Sequence, residues 1–71
     1  MTGKIKRLIL DRGFGFIRPH DAHDHRHDHF FHFSELSELV FSEALVETAV
    51  QFDSTMNEKG LTAVNVRPLK E

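Results

Sequence analysis

Six histidines lie between residues 20 and 32, and four of them alternate at positions 23, 25, 27 and 29. An extended backbone would place those four imidazoles on one side, about 6.6 Å apart. Imidazole nitrogens bind zinc, nickel and copper, so His23, His25, His27 and His29 form a candidate metal site. Structural zinc sites usually close around ligands from separate elements, whereas these four lie on one predicted loop. We therefore favour a solvated polar loop over the metal site.

Aromatic rings are concentrated in the same part of the chain, in "RGFGFI" at residues 12–17 and "DHFFHF" at residues 28–33. In an extended strand, Phe14, Phe16 and Arg18 lie on one face and Gly15 and Ile17 on the other. The second segment carries aromatics on both faces. A barrel of 71 residues cannot bury all of these rings, so one aromatic face is expected to meet a partner.

Basic side chains lie close to the rings in sequence: Lys6 and Arg7 fall in the first predicted strand, Arg12 in the turn after it, and Arg18 in the second strand. Rings interleaved with cations suit single-stranded nucleic acid: each stacked base contributes about 1–3 kcal/mol, and the cations contact phosphates. The two glycines of "RGFGFI" are expected to bring the backbone close to such a ligand. These features predict a single-stranded nucleic-acid-binding surface.

Five short strands are predicted to position these residues, at residues 4–10, 14–18, 28–33, 46–53 and 61–68. Turns are predicted at "DRG" and "NEKG", and a polar loop at residues 20–27. Ser34 is expected to cap a short helical turn within "SELSEL". Strands of this number and length favour an all-β, closed antiparallel sheet, because closure removes exposed strand edges.

Length and composition limit the possible functions. A chain of 71 residues predicts one domain over residues 1–71. The absence of cysteine excludes disulfides and thiolate zinc sites and fits a cytoplasmic location. No apolar run approaches the ~20 residues of a membrane span, and the N-terminus does not resemble a signal peptide. We find no nucleophile with a base and an orienting group, so neither an enzyme nor a small-molecule substrate is expected.

The charge balance by itself argues against a nucleic-acid partner, since the formal net charge is -2. The charges are nevertheless unevenly distributed along the chain. The first twenty residues contain five cations and one acid, whereas most of the acidic residues lie at positions 35–58. The basic part of the chain is therefore also the part with the aromatic segments.

At these motifs the sequence resembles the cold-shock domain family. "RGFGFI" is similar to the first ribonucleoprotein motif of that family, and "FFHFS" at residues 30–34 is similar to the second. "GKIKRL" at residues 3–8 resembles the opening of the family pattern, and "KGLTAVNV" at residues 59–66 resembles its end. The resemblance implies a five-stranded antiparallel OB-fold barrel that binds single-stranded RNA and DNA and acts as an RNA chaperone, without a cofactor.

The resemblance also implies roles for individual residues. Base-stacking positions match Phe14, Phe16, Phe30, His32 and Phe33, with Phe41 as a further aromatic. Basic contact positions match Lys6, Arg12 and Lys59, and Asp28 matches a carboxylate that hydrogen-bonds a base. The implied core consists of Ile5, Ile17, Phe31, Val50, Phe52, Val64 and Val66.

Several positions depart from the family pattern. Arg7 and Leu8 replace a Trp-Phe pair, so the platform is expected to bind less tightly, although an arginine can still stack and adds charge. Val46 and Glu47 stand where Glu-Gly is usual, and His29 stands at a commonly apolar position. Three alternatives remain open: a His-rich metal-binding barrel, a protein-interaction barrel with weakened nucleic-acid binding, and a histidine loop that gates nucleic-acid binding by protonation.

Overall fold

The chain folds into a β-barrel in a computed structural model that describes residues 1–22, 27–58 and 60–69. Its strands are β1 (Thr2–Ile9), β2 (Phe14–Pro19), β3 (His29–His32), β4 (Ala49–Asn57) and β5 (Gly60–Pro68). They close in the order β1-β2-β3-β5-β4. All neighbouring strands are antiparallel except β3 and β5, which pair in parallel at Phe30 and Thr62. The expected five-stranded all-β barrel is confirmed, except that β3 and β5 are parallel where an entirely antiparallel sheet is predicted.

The strand β2 alternates as its sequence predicts. Gly15, Ile17 and Pro19 are buried, whereas Phe14 and Phe16 on the opposite face keep part of their surface exposed. Ile17 packs in the barrel interior with the other core residues, so the face of β2 that carries Ile17 is the buried one. The aromatic face of β2 therefore lies outside the core.

A bulge in β1 changes the direction of its basic residues. Ile5 pairs with Ile17 and Arg7 pairs with Phe16, so β1 contains one more residue than β2 between these pairs. Ile5 is fully buried, Lys6 is partly exposed and Arg7 is exposed. The extra residue lets two consecutive cations avoid the interior, which strict alternation would not allow.

The core agrees with the sequence-based prediction at six of its seven positions: Ile5, Ile17, Phe31, Val50, Phe52 and Val66 are fully buried. The prediction of Val64 is wrong, because Ala63 is buried instead and Val64 is only partly buried. Gln51 pairs with Arg67 and Asp53 with Val64, so β5 contains an extra residue here, next to Asn65 with a φ of 54°. Because of this bulge, the inward-facing position before Val66 is taken by Ala63 instead of Val64. Leu45 also joins the core.

Two predicted elements differ from the structure. The strand expected at residues 46–53 begins only at Ala49, because Glu43–Leu45 form a 3-10 helix that turns Leu45 into the core. Ser34 does not cap a helical turn; it lies inside the 3-10 helix Phe33–Glu35, whose cap is His32. Among the described residues, no helix is long and apolar enough to cross a membrane.

Candidate nucleic-acid interface

Three phenylalanine rings from β2 and β3 form a continuous cluster on the outside of the barrel. The backbone register places Phe16 opposite Phe30 and Phe14 opposite His32. The ring centroids of Phe14 and Phe30 are 5.1 Å apart, and the ring of Phe16 lies 6.0 Å from Phe14 and 6.1 Å from Phe30. All three side chains are partly exposed. We call these rings, together with His32 and Phe33, the aromatic platform.

The platform continues beyond the end of β3. The His32 ring lies 4.6 Å from that of Phe33, which is 5.9 Å from Phe41. The Nδ1 atom of His32 accepts a hydrogen bond from the Ser34 backbone N–H at 3.2 Å and lies 2.9 Å from the Ser34 hydroxyl. These bonds fix the imidazole orientation. Because β3 ends at His32, Phe33 leaves the inward-facing pattern and is 50% exposed.

The two glycines of "RGFGFI" have different structural roles. Gly13 has a φ of 77°, and a Cβ atom there would lie 2.9 Å from the Phe33 ring. Its missing side chain therefore allows Phe33 to pack over the β1–β2 turn. Gly15 instead faces the interior, where a Cβ atom would lie 2.6 Å from the Arg7 carbonyl oxygen. Gly15 permits close strand packing, so the expectation that it brings backbone to the ligand is wrong.

Arg7 lies between two shallow grooves on either side of Phe16. One groove, of about 370 Å³, is lined by Arg7, Ile9, Arg12, Phe14 and Phe16. The other, of about 450 Å³, is lined by Arg7, Phe16, Arg18 and Asp28. The predicted cationic residues Arg7 and Arg12 thus lie beside the rings, as a surface that binds bases and phosphates together requires.

Asp28 is held by Arg18 at the edge of the second groove. The Arg18 Nε donates to one carboxylate oxygen at 2.9 Å, and Nη2 donates to the other at 3.3 Å. The side chain of Asp28 is only 17% exposed. A carboxylate oxygen has a second lone pair, so a base contact by Asp28 stays a prediction. The family resemblance gives Arg18 no role, although its position on the Phe14–Phe16 face of β2 places it beside the rings.

Lys6, another predicted contact residue, is paired with an acid that the sequence analysis did not include in the site. Its Nζ donates to Glu47 Oε1 at 2.8 Å. The hydrogen bond and the positive charge of Lys6 lower the pKa of Glu47, and the charges of Lys4 and Arg18 lower it further. Glu47 thus contacts Lys6 and is influenced by the more distant charges of Lys4 in β1 and Arg18 in β2.

The histidines do not act as a group in the described part of the chain. His29 is 3% exposed, and its Nδ1 lies 2.9 Å from the His27 carbonyl oxygen and its Nε2 2.8 Å from Ser54 Oγ. Its ring packs against Phe52, so His29 has a structural position at the barrel end. Among the described residues, no group of three or more potential ligands could hold a metal ion. His23, His25 and the predicted contact residue Lys59 lie outside the described residues.

This arrangement defines a class of protein: a small β-barrel with an exposed aromatic face bordered by cations, as in nucleic-acid-binding OB-folds. The chain belongs to the "cold-shock" DNA-binding domain family, whose model matches residues 1–69. It is therefore a nucleic-acid-binding protein of the cold-shock type.

Three individual relatives support this assignment. The chain is 36% identical to the major cold shock protein of Micrococcus luteus, over 96% of this chain and 97% of the relative. It is 35% identical to the cold shock-like protein CspG of Escherichia coli K12, over 93% and 90%. Among solved structures it is similar to drosophila Unr CSD456, with a TM-score of 0.70 and 29% identity over 97% of this chain and 26% of that chain.

Proposed function

We propose that this protein binds single-stranded RNA and DNA by stacking bases on the aromatic platform. The observation that carries the proposal is the contact between Phe14, Phe16 and Phe30 outside the core, with centroids no more than 6.1 Å apart. Rings that support one another in this way present a fixed apolar surface to a flat ligand. Every base has a π-face, so the platform accepts many sequences.

The cations beside the rings add the backbone contacts. Arg7 lines the grooves on both sides of Phe16, and Arg12 lines one of them. A strand that stacks its bases on Phe16 would bring its phosphates near these guanidinium groups. Such contacts supply salt-dependent affinity that is independent of sequence.

An RNA chaperone activity follows from this mode of binding. A surface that traps unpaired bases favours the melted form of a weak RNA duplex, because binding stabilises only the single strand. The proposed action is binding without a catalytic step and without a cofactor, and the proposed location is the cytoplasm.

The test is a titration with fluorescently labelled oligo-U of about seven nucleotides, a length within the usual site size of an OB-fold. Phe16→Ala and Phe30→Ala should each weaken binding by about 1–3 kcal/mol through the loss of a stacking partner. Both variants should remain folded, since neither ring belongs to the buried core. Unchanged affinity in both variants would contradict stacking at these positions.

Phe31→Ala is the matched control, because Phe31 is the fully buried neighbour of Phe30. It should lower the free energy of unfolding by about 3–5 kcal/mol, in contrast to its neighbour. Each titration is repeated with a chelator. Binding that is insensitive to the chelator supports the platform, whereas metal uptake without oligonucleotide binding would favour the metal-binding barrel.

A further inference from the structure

The ion pair between Lys6 and Glu47 lies at the surface where a nucleic-acid backbone would approach. The two charged atoms are 2.8 Å apart, and the side chains are 33% and 55% exposed. Lys6 directly precedes Arg7, which lines both platform grooves. A cation that the family resemblance assigns to nucleic acid is therefore already bound to an acid of the same chain.

The backbone holds Glu47 in this position. Its N–H donates to the Ile5 carbonyl oxygen at 2.7 Å, so Glu47 is attached to β1 one residue before Lys6. Its φ of 72° is a conformation that side-chain-bearing residues seldom adopt. The position of the carboxylate thus depends on the fold as well as on its attraction to Lys6.

The nearby positive charges would attract other anions to the position that the Glu47 carboxylate already occupies. The positive charges of Lys4 and Arg18, in addition to that of Lys6, lower the pKa of Glu47. Lys4 and Arg18 are directly paired across β1 and β2, so these cations belong to the face that borders the platform. A phosphate attracted to this border would meet the carboxylate at the same ammonium group.

We propose that Glu47 is an internal competitor of the nucleic-acid backbone: it occupies the Lys6 ammonium group in the free protein, and a phosphate replaces it on binding. This inference rests on the proposed function and adds a residue that limits affinity at the same site. Carboxylate and phosphate oxygens both accept charge-assisted hydrogen bonds from an ammonium group. Binding therefore exchanges one ion pair for another, and the gain from Lys6 is reduced.

The experiment measures the affinity for labelled oligo-U by fluorescence anisotropy for the wild type, Glu47→Gln and Glu43→Gln. Glu43 is the matched control, because it is an exposed glutamate four residues away that forms no ion pair with another described residue. Both substitutions remove one negative charge. Glu47→Gln should raise affinity by about 1.5- to fivefold, the range set by an exposed ion pair, and Glu43→Gln by clearly less.

Salt provides a second measure of the same exchange. Screening weakens both the internal ion pair and the phosphate contact, so the two effects partly cancel in the wild type. The advantage of Glu47→Gln should be largest near 50 mM salt and should disappear toward about 300 mM, where the Debye length is shorter.

A double-mutant cycle with Lys6→Met identifies the partner. In the Lys6→Met background, Glu47→Gln should change affinity only as much as Glu43→Gln does, because the competed ammonium group is absent. Glu47→Gly, which also relieves the positive φ, should raise affinity like Glu47→Gln and covers the case in which the Gln variant folds poorly.

Two results would overturn the inference alone: oligo-U binding with equal effects of the two glutamate substitutions, or a Glu47 effect that persists in full without Lys6. Absence of oligo-U binding by the wild type and by every variant would overturn the proposed function, and this inference with it. Thermal unfolding of each variant separates a change in the site from a change in folding.

Discussion

Glu47 combines a left-handed backbone conformation with an ion pair to a residue 41 positions away. A non-glycine residue in this conformation costs about 1–2 kcal/mol, and the family pattern implies glycine here. The hydrogen bond from its N–H to Ile5 and the ion pair with Lys6 offset part of this cost. Compared with the glycine of the family pattern, Glu47 therefore adds conformational strain and places a negative charge beside the platform.

The Glu47 carboxylate should make stability depend on pH in acid. Lys6 lowers the pKa of Glu47 in the folded state. The ion pair therefore contributes its full stability at pH values above the pKa that the Glu47 carboxyl has in the unfolded chain. That contribution should be lost as the pH falls through the folded-state pKa. The stability difference between the wild type and Glu47→Gln, measured by urea unfolding at a series of pH values, should shrink toward zero at the acid end. A difference that stays constant would show that the pair contributes no net stability.

Arg7 replaces an aromatic ring by a charge at the centre of the interface, so it should make binding more dependent on salt. Arg7→Trp should reduce the slope of log K against log salt by about 0.7, the contribution of one phosphate contact on a single strand. Its larger stacking surface should also raise affinity at high salt. Titrations with oligo-U between about 50 and 300 mM salt measure the slope. An unchanged slope would show that Arg7 makes no phosphate contact.

At the scale of elements, the β1–β2 hairpin positions the platform through its two glycines. The Gly13 N–H bonds to the Ile9 carbonyl oxygen at 3.0 Å and closes the turn, while the Phe33 N–H bonds to the Gly13 carbonyl oxygen at 2.9 Å. These bonds attach the end of β3 to the turn. Gly15 allows β1 to approach β2 above the Phe31 ring. The same short motif therefore supports both the interface and the core.

Alanine substitutions should separate these two roles. Gly15→Ala should lower the free energy of unfolding by about 1–3 kcal/mol, because the new methyl group would meet backbone that cannot move without disturbing β1. Gly13→Ala should cost about 1 kcal/mol for its positive φ and should shift Phe33, whose ring can rotate away. Urea unfolding measures the first effect and oligo-U affinity the second. A larger stability loss at Gly13 than at Gly15 would contradict these assignments.

The histidine-rich connection is also best considered as an element. It leads into β3, whose first residue His29 contacts Ser54 of β4 through its imidazole ring. A buried polar ring at a commonly apolar position is accommodated because both nitrogens have partners. For His29, this favours a structural role over metal ligation.

At the scale of the whole molecule, the barrel redistributes the charges of the chain. In the sequence, basic residues come first and acidic residues later. Barrel closure brings Glu47 to Lys6 and the β2–β3 register brings Asp28 to Arg18. A net charge of -2 is thus compatible with a nucleic-acid-binding face, since binding depends on local charge beside the rings.

The approximate positions of the strands and the outward aromatic face could be predicted from the residues, and most of the core from the family resemblance. Side chains in a strand alternate with a period of two, so the residues alone place Phe14 and Phe16 on the face opposite Ile17, whereas the core position of Phe31 follows only from the family resemblance. The platform itself also follows from short spacing in two adjacent strands. The family motifs added the expectation of a five-stranded OB-fold barrel, and the order of its strands is seen in the structure.

The interruptions of this alternation, and the contacts between residues that are distant in sequence, could not be predicted and are seen only in the folded barrel. Bulges at Lys6 and beside Asn65 shift parity, and a 3-10 turn exposes Phe33, because strand pairing and closure impose registers that no single segment encodes. Lys6 and Glu47 are 41 positions apart in the sequence, so their contact depends on the intervening chain folding into one closed sheet. Periodicity reports which way a side chain points, whereas only closure determines which distant charge it meets.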